Sequence, residues 1–184
     1  MIPHNNTIFE LWDTYDLPPQ KRIHCQLVCD VADIITSALE KKSIQIDKEL
    51  VHASALLHDI DKHMTKLPNE RHPDAAVRML VHEGMEEVAE VVRRHPLHAI
   101  LDQTICPTTI EQKIVYISDK MVKYAFIGLE ERFRLWREEE MGKEEREMLE
   151  RTYPLVKKLQ EELMTLSGLT EQGIKLALEE RKGQ

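Results

Sequence analysis

The segment VHASALLHDIDKH, residues 51–63, joins an apolar helical stretch to a tight cluster of titratable side chains. His58 and Asp59 close the apolar stretch, and Asp61, Lys62 and His63 follow at once. Because unpaired polar groups cost several kcal/mol to remove from water, such a cluster at the end of a buried helix indicates a specific role.

Further polar side chains interrupt apolar helix faces elsewhere in the chain. His24, His95 and Asp119 each lie in register with valines of their own segments, and His72 stands at the start of another helix. Taken singly, each histidine is typical of a satisfied core residue. Inward groups from several helices of a bundle can meet at one point, however, and four imidazoles with two carboxylates suit one or two transition metals. The sequence therefore predicts a metal site.

The helices that must position these groups follow from apolar spacing and from turn residues. We expect an all-α fold. The predicted helices are one before the break at LPP, one from Pro18 to about Lys42, one from the cap Asp47 to His58-Asp59, one from Pro73 to Gly84, one from about Met85 to His95, and one from Thr108 or Thr109 through Asp119 and Val122. The segment LHAILDQTICP is predicted to be irregular.

Beyond Gly128 the chain becomes rich in charge, with an apolar stripe of Leu129, Phe133 and Trp136. This part predicts a solvated pair of helices, which cap the domain or pair with another copy. Pro154 is expected to interrupt or restart the last long helix before Gly168. The predicted divisions are an N-terminal helix (1–17), a metal-binding domain (18–127) and a charged C-terminal helical segment (128–184).

Composition limits the function classes. The chain has 184 residues, a net charge of −8, and only 6 Gly and 3 Phe, which disfavours a many-stranded sheet. An acidic balance also disfavours a nucleic-acid binder. Three cysteines at no zinc-finger spacing and the lack of a long apolar run indicate a reduced cytoplasmic protein, with no membrane partner. A homodimer through the charged segment is a further expectation.

The ordered set His24 … His58-Asp59 … His72 … His95 … Asp119 resembles the ligand order of the HD-domain superfamily of metal-dependent phosphohydrolases. HDIDK is similar to the HDIxK form of the subfamily with the HDIG motif, although Asp61 stands where many members have Gly. The segments RHPDAAV, VVRRHP and VYISDKM resemble those that supply the later ligands. This resemblance covers roughly residues 18–126 and implies an HD-domain helical bundle with a C-terminal helical extension.

The resemblance also assigns roles. His24, His58, Asp59 and Asp119 would hold a first divalent metal, and His72 and His95 would complete a second, with Asp59 as a bridge and catalytic residue. The metal could be Fe, Mn, Co, Ni or Zn. Lys62, one turn beyond His58, is placed to touch a phosphate oxygen, and Arg94 and His98 are the other candidate substrate-binding residues. Four cationic residues flank predicted ligands and could supply further positive charge, although most of them are expected at the surface: Arg93, Arg94, Lys120 and Lys123.

The resemblance implies hydrolysis of a phosphoester or phosphoanhydride of a small nucleotide-like substrate by metal-activated water. Among the relatives, the compact HDIxK arrangement most resembles the hydrolases of dinucleoside tetraphosphates. Two alternatives share the same ligands. One is a di-iron HD-domain oxygenase, and the other is a non-catalytic nucleotide-binding sensor that signals through the charged C-terminal helices.

Overall fold

The computed structural model describes residues 1–183, and nine α-helices with no strand lie in that range. The all-α prediction is therefore confirmed. The helices are α1 (Asn5–Thr14), α2 (Pro19–Glu40), α3 (Lys48–Leu57), α4 (Asp74–His82), α5 (Glu86–Arg93), α6 (Ile110–Lys120), α7 (Leu129–Glu138), α8 (Lys143–Ser167) and α9 (Glu171–Lys182). Short 3-10 helices occupy Ile60–Lys62 and Leu97–Leu101, so the predicted irregular connection contains a helical turn.

Helix α2 lies at the centre of the bundle and contacts α3, α6, α8 and α9. Its buried side chains recur at the three- and four-residue spacing of one helix face, as at Val28, Ala32, Ile35 and Leu39. The ends of α3 and α6, which also pack on one another, meet α2 near its N-terminal half through the polar residues described below. The central position of α2 brings ligand-type residues of three helices together.

Local signals at the helix ends agree with the sequence analysis. The Asp47 side chain accepts a hydrogen bond from the Leu50 backbone N–H at 2.9 Å and begins α3. Thr109, rather than Thr108, begins α6 in a reciprocal capping box with Gln112. Gly84 adopts a φ of +70° beyond α4, a left-handed conformation that costs glycine little.

Two predicted boundaries were wrong. Helix α5 ends at Arg93, so His95 lies beyond the helix, and Pro154 lies inside α8 without interrupting it. Proline removes one backbone donor, but a buried apolar stripe continues on both sides of it, through Leu149, Val156 and Leu163. Tertiary packing of this stripe outweighs the local helix-breaking tendency.

The chain after Gly128 forms three helices where two were expected. They share the main hydrophobic core, since Leu129, Phe133, Leu163 and Ile174 are buried within the same cluster as the residues of α2 and α6. The segment is therefore packed against α2 and α6 along its apolar faces and exposes its charged ones. Within residues 1–183, no helix combines the length and the apolar character needed to cross a bilayer.

Candidate metal centre

Six side chains of metal-ligating type converge between α2, α3, α5 and α6. His24 lies on α2, Asp119 lies in the last turn of α6, and His58 caps the C-terminal end of α3. The other three lie just outside helices: Asp59 after α3, His72 before α4 and His95 after α5. Because helix ends place five of the six, a short shift in sequence register would disperse the set.

One group of ligand atoms comprises His24, His58 and Asp119. His24 Nε2 lies 3.1 Å from Asp119 Oδ1 and 3.3 Å from His58 Nε2, and His58 Nε2 lies 3.5 Å from the same carboxylate oxygen. These three atoms surround a space that suits one transition metal ion, whose bonds to imidazole nitrogen measure about 2.0–2.1 Å in the case of zinc.

A second group comprises Asp59, His72 and His95. His72 Nε2 and His95 Nε2 lie 2.9 Å apart, and Asp59 Oδ1 lies 3.4 Å from the first and 3.9 Å from the second. The same oxygen of Asp59 is 4.0 Å from His58 Nε2, which belongs to the first group. Asp59 therefore lies between the two groups.

The other ring nitrogen of each histidine is already engaged by an oxygen. Nδ1 of His24, His58 and His95 contacts the backbone carbonyls of Lys123, Ala55 and Val92 at 2.9, 2.8 and 2.6 Å. Since a carbonyl oxygen only accepts, each Nδ1 must carry the proton, and burial of His95 favours its neutral form.

In a neutral imidazole with Nδ1 protonated, Nε2 presents a lone pair. Burial lowers the pKa of His95 well below its usual value, so its Nε2 lone pair faces Nε2 of His72 at 2.9 Å, while Nε2 of His24 and of His58 face Asp119 Oδ1. Nitrogen and oxygen atoms this close together suit a shared cation, and metal-ligating histidines characteristically bond an oxygen through their second nitrogen. The donor set therefore fits one or two divalent transition metals.

Asp61 supplies the oxygen for the fourth histidine. Its Oδ1 lies 2.7 Å from His72 Nδ1, and the carboxylate is buried with its other oxygen, Oδ2, lacking a hydrogen-bond partner. The residue that departs from the HDIG pattern thus orients a candidate ligand. This contact gives Asp61 a place beside the metal centre, which the sequence left open.

Positive charge surrounds the carboxylates. Lys21 Nζ lies 3.0 Å from Asp59 Oδ2, and Lys62 Nζ lies 3.2 Å from Asp59 Oδ1. Burial opposes ionisation of Asp59, but His58 and Lys62 hold the pKa of its carboxyl below the usual range. The sequence did not lead us to predict Lys21 as a site residue, although its i,i+3 spacing from His24 on one helix face could have indicated that it lies beside the site.

Lys120 is an exception to the expectation that most of the four flanking cationic residues lie at the surface. Its side chain is buried, with Nζ 2.6 Å from the His95 carbonyl and in an ion pair with Asp119. Burial lowers the pKa of Lys120, while its charge helps to hold the pKa of Asp119 well below the usual range against the effect of burial. The aliphatic stem of Lys120 occupies a core position, which apolar periodicity alone does not predict.

A cavity of about 610 Å³ borders His72. His98 lines this cavity, as do Arg71 and Arg93. Arg94 does not line it; its guanidinium pairs with Glu90 and donates to the Cys106 carbonyl at 2.8 Å. The position of Arg94 does not support the substrate-binding role expected for it, and its neighbour Arg93 occupies the pocket wall.

The comparison with protein families identifies the class to which this fold and site belong. A family model described as HD domain matches residues 22–123, which is more than half of the chain. The protein belongs to the HD-domain family. No curated protein and no solved structure matched in the corresponding comparisons. The family match begins within α2, includes α3 to α6 and ends before α7.

Proposed function

We propose that this chain is a metal-dependent phosphohydrolase that cleaves a phosphoester or phosphoanhydride of a small nucleotide-like substrate. One observation supports the proposal: Asp59 lies between two groups of ligand atoms whose histidine Nε2 atoms face inward. Bound divalent metals would polarise a phosphoryl group and lower the pKa of a water molecule that attacks it.

The residues that would hold the metals are His24, His58 and Asp119 in one group and His72 and His95 in the other, with Asp59 shared. Lys21 and Lys62 each contact one oxygen of Asp59. Once a cation competes for that carboxylate, the ammonium groups can turn to the phosphate oxygens of a substrate. Both side chains keep about a third of their area exposed, at 38% and 31%, so this reorientation requires no change in the core.

The cavity beside His72 is the proposed substrate pocket. Arg71 and Arg93 supply cationic donors for phosphate oxygens, and Ile105 and Met148 supply an apolar wall against which a flat base can pack. Burial lowers the pKa of His98, and the charges of His72 and Lys120 act in the same direction. His98 is therefore neutral near pH 7 and can donate one N–H hydrogen bond to a phosphate oxygen.

The C-terminal segment contributes to this pocket, because Glu144, Glu145 and Met148 of α8 line it. Carboxylates on this wall disfavour a substrate whose phosphates extend toward α8. We propose that phosphates lie toward Arg71 and Arg93 and that the uncharged end of the substrate lies toward Met148. Substrate choice would then depend on residues outside the matched family region.

The test is phosphate release from a panel of nucleoside monophosphates, cyclic nucleotides and dinucleoside polyphosphates, with manganese-loaded and iron-loaded protein. Asp59→Ala is expected to lower the rate of phosphate release at least about a hundredfold, which is typical for loss of one essential electrostatic group. The same substitution should lower the amount of metal bound per chain. Asp13→Ala, which alters an exposed carboxylate of α1, is the matched control and should leave both unchanged.

Retention of activity and metal by Asp59→Ala would refute the assignment. If no substrate is hydrolysed while metals are demonstrably bound, the hydrolase proposal fails and the two alternatives are tested directly. Oxygen uptake that depends on ferrous iron would then indicate the oxygenase. Nucleotide binding without turnover would indicate the sensor.

A further inference from the structure

A third cluster of ligand-type side chains lies between α2 and α3 and shares no residue with the metal centre. It comprises Cys29 and Asp33, one turn apart on the same face of α2, and His52 on α3. Cys29 is fully buried, whereas about 30% of each of the other two side chains is exposed. The HD-family ligand order includes none of the three.

The distances within this cluster suit a tetrahedral metal. His52 Nδ1 lies 3.1 Å from Asp33 Oδ2 and 3.2 Å from Cys29 Sγ, and the sulfur lies 3.9 Å from the same carboxylate oxygen. Bonds of about 2.3 Å from zinc to sulfur and 2.0–2.2 Å to nitrogen and oxygen place tetrahedral donor atoms roughly 3.4–3.6 Å apart. The observed distances bracket this range, so small side-chain adjustments complete the geometry.

The orientation of His52 favours coordination through Nδ1. Its Nε2 contacts Asn5 Oδ1 at 2.9 Å, and because this oxygen only accepts, Nε2 carries a proton. The imidazole therefore directs Nδ1 at the cluster while an oxygen holds its other nitrogen, as is usual for metal-ligating histidine. Asn5 belongs to the start of α1, so the arrangement joins the N-terminal helix to α2 and α3.

The same geometry argues against a nucleophilic thiol. A cysteine–histidine–carboxylate relay needs the thiol and the carboxylate at opposite ring nitrogens, whereas Cys29 and Asp33 both face Nδ1. Burial raises the pKa of the Cys29 thiol, and the carboxylates of Asp33 and Asp30 raise it further. A thiolate at this position requires a compensating cation, which a metal supplies.

We propose that Cys29, Asp33 and His52 bind one zinc ion, with the fourth coordination position open to solvent. The three residues offer one sulfur, one oxygen and one nitrogen, a mixture that zinc accepts and that differs from the nitrogen–oxygen set of the metal centre. A cavity of about 660 Å³, lined by Asp33, His52, Asn5 and residues of the N-terminal segment, gives a water molecule access to the fourth position.

Cobalt substitution tests this site without reference to catalysis. A sulfur-to-cobalt charge-transfer band in the near ultraviolet reports a cobalt–thiolate bond. The six candidate ligands of the metal centre offer only nitrogen and oxygen donors, and Cys25, whose sulfur lies beside His58, is tested by its own variant. We expect the full-length protein to show this band when loaded with Co²⁺. Asp59→Ala, which disables the metal centre, should keep it, and so should Cys25→Ser, which alters the buried cysteine one turn earlier on α2.

Cys29→Ser and His52→Ala should each abolish the band and lower zinc content by one ion per chain. Circular dichroism checks that each variant is folded, and Asp33→Asn provides a nearly isosteric third variant if one of them is not. Absence of the band from the unmodified protein, its persistence in Cys29→Ser, or its loss in Cys25→Ser would overturn the proposal. These outcomes hold whether or not the chain hydrolyses a phosphate ester.

Discussion

Replacing Asp61 with alanine tests whether this carboxylate orients the candidate metal ligand His72 without itself binding the metal. Asp61 Oδ1 accepts the hydrogen bond from His72 Nδ1 at 2.7 Å, and no other oxygen is recorded at that nitrogen among residues 1–183. In Asp61→Ala, the imidazole of His72 loses both its orientation and the added basicity that a carboxylate provides. The other three candidate histidines keep their backbone carbonyl partners.

The expected loss of metal affinity follows from the environment of this hydrogen bond. Loss of such a partner costs about 10–100-fold in metal affinity, or roughly 1.4–2.7 kcal/mol. His72 keeps 23% of its side chain exposed, so water can replace the missing acceptor in part. We therefore expect a loss nearer tenfold, confined to the group of Asp59, His72 and His95.

Folding stability should change little in the same variant. The lost charge-assisted hydrogen bond contributes about 1.5–3 kcal/mol, but the substitution also removes a buried carboxylate oxygen without a partner, which costs about 1–3 kcal/mol. These effects have opposite signs and similar sizes. A fall in affinity without a comparable fall in the free energy of unfolding would distinguish lost orientation from partial unfolding.

The assay is a manganese titration under chelator competition, since Mn²⁺ suits nitrogen and oxygen donors and disfavours the sulfur of Cys29. Asp61→Asn is the matched control: its side-chain oxygen can still accept the bond from His72, so the loss should be smaller. Unchanged affinity in Asp61→Ala would refute the reasoning. An equal loss at both metal positions would refute it as well, because only His72 depends on Asp61.

Two further predictions concern the charges around the centre. Lys120→Met leaves Asp119 and the His95 carbonyl without their buried donor, and we expect the free energy of unfolding in urea to fall by about 3–5 kcal/mol. Lys123 is partly exposed, so Lys123→Met should cost little. Equal effects of the two substitutions would contradict this account. In metal-free protein, burial opposes the charge of His58, but Cys25, Asp59 and Asp119 raise its pKa well above the usual value. The stability that this raised pKa contributes is complete below about pH 6.5 and is lost as pH rises through the raised pKa. The urea midpoint of chelator-treated protein should therefore fall as pH increases above about 7. A midpoint that rises over this range would contradict the assigned role of His58.

Much of the fold was predictable because helix starts and stops have local causes. Asp47, Thr109, Gly84 and Gly168 act within a few residues of their own positions, and each lies where the sequence predicted a boundary. Pro154 shows the limit of this reasoning. Its local effect is outweighed by the packing of the apolar stripe of α8 in the common core, and a rule that considers the proline alone leaves that packing out.

The candidate ligands were predictable for a different reason. Polar groups on apolar faces are rare enough that six of them in one chain suggest a shared site, and the family resemblance set their order. Lys120 and Arg94 were harder to predict, because a long cationic side chain can turn toward the core or the surface from the same backbone position. Only the packed structure decides between these directions.

The helix ends at the metal centre have an electrostatic consequence. His58 caps the C-terminal end of α3, Asp119 lies in the last turn of α6, and His95 follows the end of α5. Each C-terminus carries roughly half a negative charge from its aligned peptide dipoles. Three such ends directed at one point create a negative potential through the backbone alone. The scaffold would therefore attract a cation even before the carboxylates contribute, and the ammonium of Lys120, on the His95 carbonyl, already meets part of that attraction.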